Sequence, residues 1–215
     1  MVTGFASVIL DVDSTLCGIE GIDWLAERRG VETGLLVTDL TDRAMRGDVA
    51  LDAVYGERLA LVRPGRAEIA ALAQAYAGSI APGAARAIQR LHAAERRVVL
   101  VSGGIREAIL PLAQRFAIAE GDVYAVPVHF DSNGAYGGFD IASPLATATG
   151  KRAVAASLAL PSRVLAMGDG ATDLAMRPVV SAFAAFTGFV RREAVVADAD
   201  YVLATFDQLV ELVLA

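Results

Sequence analysis

The sequence is short of cysteine, tryptophan and histidine, with one, one and two of each in 215 residues. A lone Cys17 excludes an internal disulfide and fits a reducing compartment, so a cytoplasmic location is expected. His92, His129, Cys17 and Trp24 show no spacing that would build a zinc or thiol site and read as structural. Long hydrophobic runs are missing too. The first ten residues are apolar but lack a basic segment and meet Asp11 too early for a secretory signal. The longest other apolar-rich stretch, Pro178 to Val190, is interrupted by Ser181, Thr187 and Gly188 and is too short to span a bilayer. No membrane partner is expected. Basic excess is absent as well: the formal net charge is −6 and the pI about 4.9. That excludes a broad nucleic-acid-binding face, although a small phosphate needs only local cations.

What the chain has in quantity is apolar residues, 55% of the total, with a mean hydropathy of +0.48. A large core is therefore available, enough for one generous domain or a core domain with a smaller insert. Ser7 to Leu10 reads as a buried strand. From Gly18 to about Tyr76 nothing reads as a strand. Ile22, Leu25 and Ala26 recur at helical spacing before Gly30. Asp39 to Arg46 is polar and punctuated by Gly47, Leu51 to Val62 is helical up to Pro64, and Ala67 to Tyr76 forms another helix. The segment 17–76 is thus expected to be a helical cap inserted after the first strand, with 1–16 and 77–215 forming the core domain.

Beyond Pro82, helical segments alternate with β-branched runs. Arg97 to Val101 ends at Ser102-Gly103-Gly104, Ile105 to Phe116 is helical with a kink or break at Pro111, and Arg163 to Met167 ends at Gly168-Asp169-Gly170. Ser181 to Phe186 and Tyr201 to Leu203 supply two further short strands. Asn133-Gly134 signals a two-residue turn inside an expected hairpin over Val123 to Phe139. The alternation predicts an α/β fold, a Rossmann-like parallel sheet with helices on both faces. In such sheets ligands sit beyond the carboxyl ends of the strands. Asp11, Ser102 and Asp169 all fall there.

Asp11-Val12-Asp13-Ser14-Thr15 places two carboxylates two residues apart at a strand end. Asp11 reads as a nucleophile toward phosphorus, Asp13 as its acid/base partner, and a divalent metal as the cation between them; the competing reading is an acidic loop that caps a helix. A phosphate dianion is repelled by a carboxylate nucleophile, by roughly 1 kcal/mol at 4 Å in water and about 4 at an effective dielectric near 20. Counter-charge is therefore required. Asp169 on its glycine-flanked turn can complete an oxygen shell that suits magnesium. Lys151, at a helix start, adds a fixed positive charge, and Ser102 with the Gly103 and Gly104 amides can donate to phosphoryl oxygens. Taken singly, each has a duller explanation: a turn, a solvated lysine, a helix cap.

Asp11 to Thr15, then Ser102, Lys151 and Gly168-Asp169-Gly170-Ala171-Thr172-Asp173 resemble, in that order, the four motifs of the haloacid dehalogenase (HAD) superfamily. Glu20-Gly21-Ile22-Asp23, Glu57-Arg58-Leu59-Ala60-Leu61 and Val101-Ser102-Gly103-Gly104 are similar to the pattern of its phosphoserine phosphatase family. The resemblance implies a magnesium-dependent hydrolase releasing serine and phosphate from O-phosphoserine, the last step of a serine-forming route. It implies that Asp11 forms an aspartyl-phosphate while Asp13 protonates the leaving oxygen and later deprotonates water. Metal would be held by Asp11, Asp13 and Asp169, with Asp173 orienting that shell or Lys151. Arg58 would fork onto the substrate carboxylate, Glu20 would pair with its ammonium and Met45 would pack on its carbon skeleton, with Ser102, Gly103, Gly104 and Thr172 also at the substrate. The chain departs from the pattern at Leu51, where an aromatic residue is common, and at Phe186-Thr187-Gly188-Phe189, where related enzymes carry paired glycines. Two alternatives stay open: a phosphatase or phosphotransferase acting on another small phosphomonoester, and a receiver-type signalling domain phosphorylated on Asp. A monomer or a homodimer is compatible with the sequence.

Overall fold

The structure is a computed structural model that describes residues 4–46 and 51–215, with no side chains described over 41–53. The chain forms β1 (Ser7–Leu10), α1 (Gly21–Glu27), α2 (Val31–Arg46), α3 (Leu51–Val62), α4 (Arg66–Gly78), α5 (Ala84–Ala93), β2 (Arg97–Ile105) and α6 (Arg106–Arg115). It continues with β3 (Val123–Val126), β4 (Val128–Phe130), β5 (Tyr136–Phe139), α7 (Gly150–Ser157), β6 (Val164–Gly168) and α8 (Ala171–Leu174). The last elements are β7 (Ala182–Phe186), α9 (Glu193–Asp198), β8 (Tyr201–Leu203) and α10 (Phe206–Leu214).

Six strands form one parallel sheet in the order β3-β2-β1-β6-β7-β8. β1 is central, in register with β2 (Leu10 opposite Leu100) and with β6 (Leu10 opposite Met167). All four of its residues are buried, which is why it reads as an unbroken apolar run rather than an alternating one. Right-handed crossovers place α5 and α6 on one face and α7, α8 and α9 on the other. The packing agrees: α5 lies on α10, and α8 lies between α7 and α9. Strand order reverses between β1 and β6. The crevice beyond their carboxyl ends is therefore the topological switch point.

Among the described residues the elements between β1 and α5 are the helices α1 to α4. α1 buries Ile22, Leu25 and Ala26 and stops before Gly30, whose φ of 111° most residues avoid. The polar stretch from Asp39 belongs to α2, which the sequence does not signal. It leaves Val31, Leu35 and Leu36 exposed and buries Val37, so adjacent apolar residues fall on both sides of the helix and blur its pattern. Arg29 ties the group together. Its guanidinium donates to the Val62 and Arg63 carbonyls, at 2.7 and 3.1 Å, where α3 ends without helical partners, and it pairs with Glu68 of α4.

Three further expectations change. β3 joins the main sheet beside β2 rather than a hairpin, and Pro127, which has no N–H to donate, separates it from β4. The antiparallel hairpin is β4–β5 alone, closed by a five-residue loop over Asp131 to Ala135 in which Asp131 accepts from Asn133 and Ala135 amides and Gly134 has φ 80°. Pro111 lies inside an unbroken α6 whose Ile109, Leu112 and Ala113 are buried; packing outweighs one lost helical bond. The hairpin leans on the helical insert: Arg66 stacks over Phe130 at 4.7 Å, Tyr55 meets Phe139 edge-on at 5.3 Å, and the Arg66 amide donates to Gly134. Among the described residues no helix is long and apolar enough to cross a membrane.

Candidate active site

The Asp11 amide donates to the Met167 carbonyl, so β1 stays docked on β6 one residue past the sheet and delivers the Asp11 side chain into the crevice. The chain then turns sharply. Cys17 and Thr15 amides return to the Val12 carbonyl, and Ser14 takes the left-handed region at φ 53°. That conformation is uncommon outside glycine and is stabilised here by the surrounding turn.

A cavity of about 550 Å³ opens at this point, lined by Asp11, Asp13, Lys151, Asp169 and Asp173 on the sheet side and by Glu20 just before α1. Tyr55, Arg58 and Asp23 line it from the helical insert. Lys151, the chain's only lysine among 19 lysines and arginines, is buried between two carboxylates. Its Nζ lies 2.7 Å from Asp11 Oδ1 and 2.7 Å from Asp173 Oδ1. Burial alone would lower its pKa; Asp11 and Asp173 together outweigh that and hold the ammonium above its ordinary value. Asp173 also accepts the Gly170 amide at 3.1 Å through its other oxygen. A methyl group at Gly168 would collide with the Asp173 carboxylate, so glycine is required there by close approach.

Asp169 is held from both sides. Thr15 Oγ1 donates to its Oδ1 at 3.2 Å, Arg192 Nε donates to its Oδ2 at 3.1 Å, and Arg192 Nη2 forms an ion pair with the same oxygen at 3.0 Å. Burial, then the Asp173 charge, pushes Asp169 up to about 6 against the pull of Arg192. Burial and Asp173 likewise raise Asp11 well above the usual carboxylate range, with Lys151 opposing. One carboxylate oxygen each from Asp11, Asp169 and Asp173 lie within 4.8 Å of one another. A buried cluster of oxygen donors of this kind fits a hard divalent cation, whose charge would relieve the repulsion that raises these groups.

Asp13 faces the other wall. Its Oδ1 accepts from Tyr76 Oη at 2.6 Å and from the Gly21 amide at 3.2 Å. Burial, then the Glu20 charge, pushes the carboxyl up to about 7, with the Tyr76 hydrogen bond opposing. Near neutrality Asp13 therefore exchanges a proton readily, as an acid/base group must. Glu20 accepts from Ser14 Oγ at 2.7 Å, and Arg58 Nη2 pairs with Asp23 Oδ1 at 2.9 Å. Ser102 is buried and its Oγ accepts the Gly104 amide at 3.0 Å, while Gly103 and Thr172 reach the cavity wall. The side chains of Met45 and Leu51 lie outside the described residues.

Three contributors escape sequence reading. Tyr76 is only the end of an Ala-rich helix in the pattern, and Arg192 is one of two adjacent arginines. Asp23 is one more helix N-terminal acid. The altered flank at Phe186 to Phe189 places the Phe189 ring against Gly18 and leads the chain to Arg192. The lysine is the exception: a single lysine among so many arginines is a compositional signal that an ammonium is needed at one place.

Residues 8–178 match the family model of the haloacid dehalogenase-like hydrolases. The chain is 36% identical over 206 residues to human phosphoserine phosphatase, covering 94% of this chain and 91% of the human one. It is 34% identical over 209 residues to the chloroplastic phosphoserine phosphatase of Arabidopsis thaliana, covering 95% and 70% of the two chains. In fold it is similar to a phosphoserine phosphohydrolase-like protein from Francisella tularensis, with a TM-score of 0.83, 24% identity and 97% and 100% of the chains covered. A substrate-bound phosphoserine phosphatase superposes with a TM-score of 0.79 at 20% identity, over 96% and 97% of the chains.

Proposed function

Because the chain belongs to the haloacid dehalogenase-like hydrolases, we propose that it hydrolyses O-phosphoserine to serine and phosphate, supplying serine to biosynthesis in a reducing cytoplasm. The observation that carries the chemistry is the convergence of Lys151, Asp169 and Asp173 on Asp11 beside the cavity. The phosphoserine phosphatases at 34–36% identity support the substrate.

Asp11 attacks phosphorus. Its Oδ1 is engaged by Lys151, which leaves Oδ2 to form the new bond. As that P–O bond forms, the ester P–O bond breaks and the departing serine oxygen takes a proton from Asp13. A carboxyl raised to about 7 holds that proton near neutrality. Water then attacks the phosphoaspartate, giving a proton back to Asp13 and releasing phosphate, so nucleophilic and general acid–base catalysis alternate at two fixed carboxyls. Asp11 and Asp169 would hold magnesium with the Asp13 main chain, and the ion would neutralise charge building on the phosphoryl oxygens. Asp173 positions Lys151, since both its oxygens already accept hydrogen bonds from protein donors. Ser102, Gly103, Gly104 and Thr172 receive the phosphoryl oxygens. Glu20 takes the ammonium, Arg58 the carboxylate, and Met45 the carbon skeleton. Residues 17–76 act as a cap that excludes water from the core formed by 1–16 and 77–215.

Phosphate release from phosphoserine, phosphothreonine and a set of sugar phosphates, with magnesium and with chelator, tests the reading. Phosphoserine should be preferred, chelator should abolish turnover, and Asp11→Asn should abolish it with the fold intact. Sugar phosphates ranking above phosphoserine would refute the substrate, and an active Asp11→Asn enzyme would refute the mechanism.

A further inference from the structure

Among the described residues only three buried side-chain atoms lack a hydrogen-bond partner: Tyr55 Oη, Arg58 Nε and Arg96 Nε. Arg96 precedes β2 at the amino end of the sheet, away from the site. Tyr55 and Arg58 both line the active-site cavity. They stand three residues apart on α3, so they share one helix face. Buried polar atoms in native proteins are paired in the great majority of cases, and an orphan at a cavity wall points to a missing ligand group. The two orphans have the same polarity. The phenol is kept protonated by burial, which raises its pKa far above the ordinary value against the pull of Arg58, so its hydroxyl has a hydrogen to donate. The guanidinium Nε–H is a donor without an acceptor role.

We infer that Tyr55 is a specificity-determining residue, its hydroxyl donating, with Arg58 Nε, to the carboxylate of the substrate. The inference rests on the phosphomonoester reading above and names the group that this wall selects. Two donors on one helix face, one of them cationic, complement an anionic acceptor. The lining also carries the Asp23 carboxylate, already paired with Arg58, and Glu20, to which the proposed reading gives the amino group. The phenol ring is fixed edge-on against Phe139 of the hairpin and the Arg58 fork is anchored by Asp23 through Nη2. Ring and guanidinium are thus both held before the ligand arrives, which limits the ordering cost of binding.

Tyr55→Phe tests this, because it deletes one oxygen and keeps the ring. Phosphoserine and phosphoethanolamine differ only in the carboxylate. The ratio of kcat/KM for phosphoserine to that for phosphoethanolamine should fall about tenfold in the variant, with the loss expressed in KM. A ratio within about twofold of the wild type would overturn the inference, as would equal losses on both substrates. The variant should melt no lower than the wild type, since it removes an unpaired polar atom; a fall of several degrees would mean that the hydroxyl already has an internal partner. If the wild-type enzyme prefers another ester to phosphoserine, the functional reading fails separately. Phosphoglycolate against p-nitrophenyl phosphate then decides Tyr55 by the same ratio, which should fall in the variant if a carboxylate is bound there.

Discussion

Replacing Lys151 by Met is the sharpest test of how the site is held together. Methionine keeps the length of the side chain and removes its charge. In the native protein the ammonium sits 2.7 Å from an oxygen of Asp11 and 2.7 Å from one of Asp173, with all three side chains at most 8% exposed. At an effective dielectric near 20 each contact is worth about 6 kcal/mol of Coulomb energy. Against these gains stands a desolvation penalty of several kcal/mol for each buried ion, so the intact triad is close to balance. The variant is not. It leaves two buried carboxylates facing each other, and losing one partner of a buried pair typically costs about 3–5 kcal/mol.

Urea denaturation of the metal-free protein should show that loss, a fall in midpoint of roughly 1–2 M for a typical m-value. A saturating divalent cation should restore more stability to the variant than it adds to the wild type, because it replaces the missing charge at the same oxygens. Lys151→Met combined with Asp173→Asn should recover part of the loss, with a coupling of about 1–3 kcal/mol. Phosphate release should drop at least about a hundredfold, as for loss of one preorganised donor. A metal-free loss below about 1 kcal/mol, with the cation stabilising both proteins equally, would refute the claim that this lysine offsets the acidic cluster.

Burial pushes the Cys17 thiol up to about 12, so at pH 8 only about one in ten thousand molecules carries the reactive thiolate; native protein should resist Ellman's reagent and react on unfolding, and fast native reaction would contradict it. Asp200 is held below its ordinary pKa by the Arg177 hydrogen bond, assisted by the Phe183 amide. Its contribution is therefore present above the unfolded value near 4 and lost as pH falls through the lower folded value. Asp200→Asn should destabilise by about 0.5–1 kcal/mol at pH 7 with the gap closing below pH 4; a gap independent of pH would show the charge to be irrelevant. Gly168→Ala should lose about 1–3 kcal/mol and most activity, because the added methyl displaces Asp173 from Lys151; a fully active, stable variant would show that Asp173 has room to move.

The sheet was largely legible in the sequence because its strands are buried on both faces and bounded by turn chemistry. Ser7 to Leu10 and Arg163 to Met167 are apolar runs that end in the residues of the site. Where legibility failed, the apolar pattern was missing or misleading. α2 buries Val37 and exposes Leu35 and Leu36, so periodicity could not distinguish it from a polar loop. β3 and β4 read as one extended segment because a single proline divides them and only strand pairing shows that they belong to different sheets. Residue types in the site were readable, since acids at strand ends are conspicuous. Their partners were not. Thr15 and Asp169 are 154 positions apart, Lys151 and Asp11 are 140 apart, and Tyr76 and Asp13 are 63 apart.

Those separations explain why the site works as a unit. A strand-end acid in an isolated loop would ionise at its ordinary pKa and repel a phosphate. Here the parallel sheet brings four distant strand ends to one crevice, and burial there raises Asp11, Asp13 and Asp169 together. The elevated carboxyls are useful only because fixed cations differ in reach. Lys151 touches Asp11, Arg192 touches Asp169, and neither of these cations has a hydrogen bond to Asp13, which instead meets a neutral phenol and an amide. All three carboxyls are thus raised, and what opposes the rise differs from one to the next: an ammonium at Asp11, a guanidinium at Asp169 and the Tyr76 hydrogen bond at Asp13. A nucleophile and a proton donor made from the same side chain require that asymmetry. It arises from which elements the fold sets beside each strand end: the helix after β5 at Asp11, the loop after β7 at Asp169 and the helical insert at Asp13. In the proposed reading the same insert carries Tyr55 and Arg58, so the element that hydrogen-bonds Asp13 also selects the substrate that receives its proton.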